Sequence, residues 1–452
     1  MRPNIIFYFS DQQRHDTLGC YGQSLPVSPF LDTLAAEGTL FQNAFTCQPV
    51  CGPARACLQT GMYATETGCF RNDKMLPADV RTLASYFNAS GYETAYVGKW
   101  HLASETERGV DNSISPVPPE LRGGYKDYWM AADVLEFTSH GYDGHLFDAD
   151  GRRRDFTGYR ADCVSDFAMD YIRNKESDAP FFMFISQIEP HHQNDRKRYE
   201  GPDGSKEQFR DFETPGDLVG TAGDWRESYP DYLGQCRSLD DNVARLVGAL
   251  KAKGMWENTI LIYTSDHGSH FKTRNSEYKR ACHDGCIHIP MIAYGGVFTG
   301  GKNVDALVSL MDIPATLLDC AGIPVPEQFR GRSLCDAVGG AADWPQEVFL
   351  QISESQVGRC VRTRDWKYSV RAEADGWNES CADVYYEDFL YDLNADPHER
   401  DNLVASEAHE DVREALAETL IRRMREAGEG APRILPYAAR ESQNKYQGRG
   451  TI

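Results

Sequence analysis

The chain has 452 residues, of which 41% are hydrophobic, 25% charged and 11% aromatic, a globular make-up long enough for one large domain and a smaller one. Its formal net charge of −21 argues against nucleic acid as a partner and leaves the capture of an anionic substrate to local groups. No run approaches the roughly 18 apolar residues of a membrane span, so no membrane partner is expected either.

The opening Met1-Arg-Pro-Asn-Ile-Ile-Phe-Tyr-Phe-Ser10 lacks the long apolar core and small-residue cleavage site of a leader and reads as a first strand. The 13 cysteines are scattered without paired zinc-type spacing: Cys47 and Cys57 flank Cys51, and Cys282 and Cys286 form one close pair. An odd count without a leader suggests free thiols, and a cytoplasmic location is expected.

A turn-rich loop through Gly19–Gly22 leads to a helix near Ser28–Glu37, with Pro29 at its start and Gly38 after its end. The stretch Cys47–Gly61 contains Cys51-Gly-Pro-Ala-Arg55 and then Leu58-Gln-Thr-Gly61, with a short helix expected from Pro53 to Thr60. Leu83–Ala89 reads as a helix stopped near Gly91, and Glu93–Val97 as a buried strand running into Gly98-Lys-Trp-His-Leu102. Residues 103–160, rich in Gly, Asp, Pro and aromatics, read as an insertion over one face. Phe181–Ser186 is a continuous apolar run, as in a strand buried on both faces, and leads to Pro190-His191-His192. A second polar insertion is expected over 194–225. The aromatics of the two insertions, Tyr125, Tyr128, Trp129 and Trp225, suit stacking on a sugar or aryl group, or simply pack the loops.

Leu239, Val243, Leu246, Val247 and Leu250 give Tyr232–Gly254 a helical apolar face. Thr259–Thr264 is the next buried strand, ending at Ser265-Asp-His-Gly268, and Ile289–Tyr294 is another. Asp312–Ala321 reads as a short helix ended by Gly322. After about Trp344 come short alternating segments (Val348–Ile352, Gly358–Arg362, Trp366–Val370), then the turn-rich Tyr391–Glu399, a charged helix over Glu407–Ala427 and a basic tail, Asn444–Arg449. The expected architecture is α/β: a mixed, mostly parallel central sheet with helices on both faces in residues 1–344. A smaller antiparallel sheet with a packed helix is expected in residues 345–452.

Polar clusters stand just beyond four of the apolar strands: Asp11-Gln12, Lys99 with His101, His191, and Asp266-His267. Ligands in open α/β sheets bind outside the carboxyl ends of the strands, so these residues should meet on one rim. Two carboxylates, an amide oxygen and an imidazole suit a divalent ion, Ca²⁺ first, with Mn²⁺ or Mg²⁺ as alternatives. Lys99 and His101 alternate on one side of an extended segment, where the ammonium could neutralise an anionic oxygen and the imidazole shuttle a proton. His192 competes with His191, and Lys279 stands in a basic stretch with Lys272, Arg274 and Arg280 that reads equally as solvated charge.

Taken together, these residues resemble the type I sulfatases of the alkaline phosphatase superfamily over nearly the full chain. The resemblance rests on Pro3–Ile6, Ser10-Asp-Gln12, Cys51-x-Pro-x-Arg55, Gly98-Lys-Trp-His-Leu102, Pro190-His191, Ser265-Asp-His-Gly268 and Lys279. Tyr391-Asp-Leu-x-x-Asp-Pro-x-Glu399 with Asn402-Leu403 completes it. In that family the motif cysteine is oxidised to Cα-formylglycine, whose hydrate carries two hydroxyls on one carbon. The resemblance implies a maturation enzyme as a partner and a metal held by Asp11, Gln12, Asp266, His267 and residue 51. It also implies an anion clamp of Arg55 and Lys99, a leaving-group acid in His191 with Lys279, and a base in His101. The implied activity is hydrolysis of a sulfate ester on a carbohydrate or a small aryl or alkyl alcohol, with an oligomer compatible. Ala54 departs from the serine common after the motif's proline. Gln12 and His267 stand where many sulfatases have Asp and Asn, and phosphonate monoester hydrolases are similar in using Gln and His there. A phosphonate or phosphodiester hydrolase is therefore the alternative, and a non-catalytic binding protein with unmodified Cys51 a further one.

Overall fold

The computed structural model describes residues 2–439, so the basic stretch 444–449 lies outside the described residues. Ten strands make one sheet: β1 (Asn4–Ser10), β2 (Thr39–Phe45), β3 (Glu93–Lys99), β4 (Tyr128–Ala132), β5 (Asp143–Asp148), β6 (Arg153–Thr157), β7 (Phe181–Ser186), β8 (Thr259–Ser265), β9 (Met291–Tyr294) and β10 (Lys302–Ser309). Their order is β10-β2-β9-β8-β1-β7-β3-β4-β5-β6. Only β9 and β5 oppose the common direction. At the centre, Ser10 pairs with Ser265, Phe9 with Ser186, and Ser186 with Gly98. The carboxyl ends of β8, β1, β7 and β3 are thus level, and the residues just beyond each strand meet those beyond its neighbours.

β1 shows why these strands are apolar throughout. Ile5, Phe7 and Phe9 face one core, while Ile6 and Tyr8 face the other, all fully buried. The first core takes up the helices Cys51–Thr60, Leu83–Ala89 and Asp312–Cys320; the second takes up Pro29–Glu37, Arg160–Asn174 and Trp225–Ala252. Burying each Phe, Leu or Ile contributes about 1.5–3 kcal/mol, which makes a strand covered on both faces the rigid frame of the site.

A second sheet, β11 (Glu347–Ile352), β12 (Gly358–Thr363), β13 (Trp366–Arg371), β14 (Val384–Asp392) and β15 (Arg433–Leu435), is antiparallel except for the parallel β14–β15 pair, and the helix Glu410–Glu426 packs on it. It is tied to the larger part by a buried charge network. Lys367 bonds to Asp284 and Glu399, and the Asp284 amide donates to Glu399 Oε2 at 2.7 Å. No helix among the described residues is long and apolar enough to cross a membrane.

Three expectations need correction, and one left open is decided. Residues 103–160 are not merely an insertion over a face: β4, β5 and β6 lie there and extend the sheet. The motif helix starts at Cys51 rather than Pro53. The long helix starts at Trp225, with Pro230 in its second turn, where polar neighbours hide the apolar period. Tyr125, Trp129 and Trp225 are 2%, 2% and 5% exposed and pack inside, Trp129 stacking on Tyr96, so they offer no sugar platform.

Gly98 holds the β3–β7 approach. Its φ is +105°, and a Cβ there would sit 1.9 Å from the Ser186 carbonyl oxygen. Gly109 also has a positive φ, +73°, but nothing lies within 4 Å of its Cβ position. Gly98→Ala is expected to destabilise the fold by more than about 3 kcal/mol, beyond the roughly 1–2 kcal/mol of left-handed backbone alone. Gly109→Ala should cost only the latter. Equal denaturant midpoints for the two variants would refute this.

Candidate active site

Asp11 comes directly after β1 and is wholly buried, its amide bonded to the Glu189 carbonyl at 3.1 Å. Its Oδ2 accepts from Lys99 Nζ at 2.7 Å and from Arg55 Nη2 at 3.0 Å. Burial alone raises a carboxyl pKa, yet Lys99, His191 and Arg55 hold Asp11 well below the usual carboxylate range. Arg55 comes from one turn inside the Cys51–Thr60 helix. Its Nη1 donates to the Lys99 carbonyl at 3.0 Å and to Ser186 Oγ at 2.6 Å, which locks the guanidinium across three strand ends.

Asp266 Oδ1 accepts from the amides of Gln12 (2.9 Å) and His267 (2.8 Å). Burial and the neighbouring Asp11 charge push Asp266 up to about 7. Gln12 has φ +71°, a left-handed conformation costly for a non-glycine residue, and Tyr232 pins it by donating to its carbonyl at 2.6 Å. Its Nε2 donates to Tyr199 OH at 2.9 Å, which commits the amide nitrogen and turns the oxygen away from that contact. His267 Nδ1 faces the Gly268 carbonyl at 2.9 Å, so the Nδ1–H tautomer leaves Nε2 as the ligand atom.

Cys51 stands in the middle at the first position of its helix. Its Sγ lies 3.3 Å from Asp11 Oδ1, 3.3 Å from His267 Nε2 and 2.8 Å from Lys279 Nζ. Burial opposes ionisation, but Lys279, Lys99 and His267 together depress the thiol far below its normal range, with His101 adding a hydrogen bond. An environment that favours a thiolate also favours an oxyanion on the same side-chain position. The next residue must be small: a Cβ on Gly52 would approach Asn72 Oδ1 to 2.9 Å, the atom that accepts the Gly52 amide.

Asp11, Cys51, Asp266 and His267 each offer one ligand-type atom, all within 4.8 Å of one another. The donor set fits a hard divalent cation. Two buried carboxylates share the space, and Asp266 Oδ2 has no hydrogen-bond partner among the described residues.

Lys279 Nζ also reaches His191 Nε2 at 3.2 Å, which selects His191 over its neighbour. His192 turns away, stacking on Tyr278 at 4.3 Å with burial holding it down at about 4. His101 departs from the expected alternation. The extended backbone ends at Trp100, and His101 has φ +61°, its amide bonded to the Asp133 carbonyl at 2.8 Å. Of the basic stretch, Lys272 is exposed, but Arg280 is buried against Glu277 and Glu354 and is not the solvated charge that composition suggests.

Sequence reasoning missed Ser186, Asp133 and Glu136. Ser186 clamps Arg55. Asp133, at the end of β4, accepts the amides of Leu102 and Ala103 at 2.9 and 3.0 Å and so shapes the His101 turn. Glu136 Oε2 lies 3.8 Å from His191 Nδ1. A polar residue closing an apolar strand marks Ser10 and Ser265 as well as Ser186, and that pattern could have found it.

Two family models match: "Sulfatase" over residues 3–323 and "N-sulphoglucosamine sulphohydrolase, C-terminal" over residues 276–426. An ulvan-active sulfatase of Formosa agariphila is 29% identical, over 95% of this chain and 82% of its own length. An N-acetylglucosamine-6-O-sulfatase of Bacteroides thetaiotaomicron is 26% identical over 89% and 82%. The crystal structure of the yidJ sulfatase of Bacteroides fragilis superposes with a TM-score of 0.81 at 25% identity, covering 95% and 96% of the two chains. A phosphonate monoester hydrolase of Agrobacterium radiobacter shares the fold at a TM-score of 0.67 and 22% identity, covering 94% and 96%. With the Sulfatase model matching more than two thirds of its length, the chain is an enzyme of the sulfatase family.

Proposed function

We propose that this enzyme removes sulfate from a sulfated carbohydrate, with Cys51 matured to formylglycine. The observation that carries this reading is the Cys51 side chain, buried at a helix start between two carboxylates, an imidazole and Lys279. An unmodified thiol makes no use of such a donor set. The carbohydrate class is supported by relatives that act on ulvan and on N-acetylglucosamine 6-sulfate.

Asp11, Gln12, Asp266, His267 and residue 51 would hold one divalent ion, calcium first by its taste for carboxylate and amide oxygens. The ion would supply Lewis acidity; one hydroxyl of the aldehyde hydrate would attack sulfur as the alcohol leaves, and loss of the proton of the other would re-form the carbonyl and expel sulfate. Arg55 and Lys99 fix Asp11 and orient the anionic oxygens, already held in place before substrate arrives. His191 and Lys279, 3.2 Å apart, place a proton where the departing alcohol oxygen must take one. His101, hydrogen-bonded to Cys51, accepts the proton of the remaining hydroxyl. Gln12 and His267 favour a phosphonate monoester as the second reading.

Chelator-treated protein is expected to gain stability on adding Ca²⁺, by about 2.7 kcal/mol at roughly 100-fold the dissociation constant, and Asp266→Asn should abolish the gain. A thermal scan indifferent to Ca²⁺, Mg²⁺ and Mn²⁺ would remove the metal from this reading.

Metal-loaded enzyme should hydrolyse an aryl sulfate in preference to an aryl phosphonate monoester. Cys51→Ala should lower kcat/KM by more than about 10⁴-fold, as removal of a covalent nucleophile does. A preference for the phosphonate would move the enzyme to the second reading, and a fully active Cys51→Ala would end the covalent scheme. The mass of the peptide spanning residue 51 reports maturation independently.

His191→Ala should slow alkyl sulfates by roughly 10²–10⁴-fold but scarcely touch a nitrophenyl sulfate, whose leaving group needs no proton. Equal losses on both substrates would deny His191 the acid role.

A further inference from the structure

Cys47 and Cys57 face each other, as do Cys282 and Cys360, and all four are at most 1% exposed, closed to reagents in water. Cys320 and Cys335 are a different kind of pair. Cys320 ends the helix Asp312–Cys320 and Cys335 is the second residue of the helix Leu334–Val338. Both are only half-buried, and their sulfurs lie 3.8 Å apart. That leaves under about 2 Å to close before they reach the roughly 2.05 Å of a disulfide.

The surrounding chain holds this approach. The Arg332 amide donates to Asp312 Oδ1 at 2.9 Å, the Leu334 amide to Thr316 Oγ1 at 2.8 Å, and Ser333 Oγ to Asp319 Oδ2 at 2.6 Å. Residues 332–334 are thus fastened along the helix that carries Cys320. The segment between the two thiols, 321–334, straps the far end of the motif helix. Gly61, the left-handed residue that ends Cys51–Thr60, accepts the Arg330 amide at 2.8 Å, and a Cβ on it would strike the Phe329 ring at 2.5 Å. Arg330 also bonds Glu66 at 3.0 Å, and Phe329 meets Tyr86 edge-on at 5.7 Å.

The two thiols are unequal. Cys335 accepts hydrogen bonds from Cys320 and Ser333, which lower its pKa, while the same contact and burial raise that of Cys320. Cys335 is therefore the readier thiolate, and Cys320 the protonated neighbour able to resolve it. Asp319 and Asp336 stand exposed beside them, so an anionic oxidant is repelled and a small neutral one is not.

We propose that Cys320 and Cys335 are an oxidative modification site, where a hydroperoxide turns the thiol pair into a disulfide that locks the strap 321–334 against the end of the Cys51 helix. The Cys335 thiolate attacks one peroxide oxygen, the O–O bond breaks, and the other oxygen leaves with a proton as water or alcohol. Cys335 is then a sulfenic acid. The Cys320 sulfur displaces its hydroxyl, which departs as water with the Cys320 proton, and the S–S bond forms. Two thiols give up two electrons in all, and one peroxide takes them. The inference stands apart from the choice of substrate.

Trypsin cuts after Arg330 and Arg332, so the two residues fall on separate peptides, 303–330 and 333–359, each with a single cysteine. Full-length enzyme, reduced and freed of reductant, is treated with a few equivalents of hydrogen peroxide. The two peptides should appear as one linked species about 2 Da lighter than their sum and separate again on reduction. The oxidised protein should unfold about 2–4 °C above the reduced one, a shift absent from Cys320→Ser. In that variant dimedone should trap Cys335 as its sulfenic acid. Peptides that stay separate while the exposed Cys381 is oxidised would overturn the site. So would a linked pair with an unchanged thermal midpoint, since nothing would then be locked.

Discussion

The buried carboxylate of Asp11 is the constraint on which the rest depends. It has no access to water, so its charge is tolerable only because Lys99 and Arg55 both bond it. Removing one partner from such a group costs about 3–5 kcal/mol, because the remaining charge is left buried and uncompensated. That penalty ties β1, the Cys51 helix and β3 into one unit. Arg55 cannot shift without releasing Asp11, Ser186 and the Lys99 carbonyl together. The position of Cys51, one helical turn before Arg55, is set by the same lock.

The smaller sheet contributes at a distance. Lys367 on β13 is fully buried and meets Asp284 and Glu399, while burial pushes Glu399 up to about 7. Asp284 stands five residues after Lys279, so the turn ending at Glu399 steadies the segment that carries the Lys279 ammonium to Cys51. The second sheet is thus a brace for one side of the active site.

Much of this was legible in the residues. Apolar runs such as Phe181–Ser186 fix buried strands, and the polar residues just beyond four of them converge as the parallel-sheet rule requires. The Cys51–Arg55 spacing places both side chains on one helical face. The parts that were not legible lack local periodicity. β4, β5 and β6 are short, the last two half exposed, and become strands only because an edge of the larger sheet is there to pair with. The aromatics Tyr125 and Trp129 carry no mark that separates a stacking platform from core. Only the position of the sheet edge buries them. Left-handed backbone at Gln12 and His101 is likewise imposed by tertiary hydrogen bonds, from Tyr232 and to Asp133, that no local motif announces.

Charge distribution completes the picture. The chain as a whole repels anions, yet Arg55, Lys99 and Lys279 outnumber Asp11 and Asp266 within the site. At physiological ionic strength the Debye length is about 8 Å, so distant surface acids are largely screened from a ligand at the rim, while the buried cations beneath it are not. Attraction therefore begins only where an anionic group of a substrate reaches the buried cations of the site. The acidic surface and the cationic interior act in the same direction, towards selection at short range.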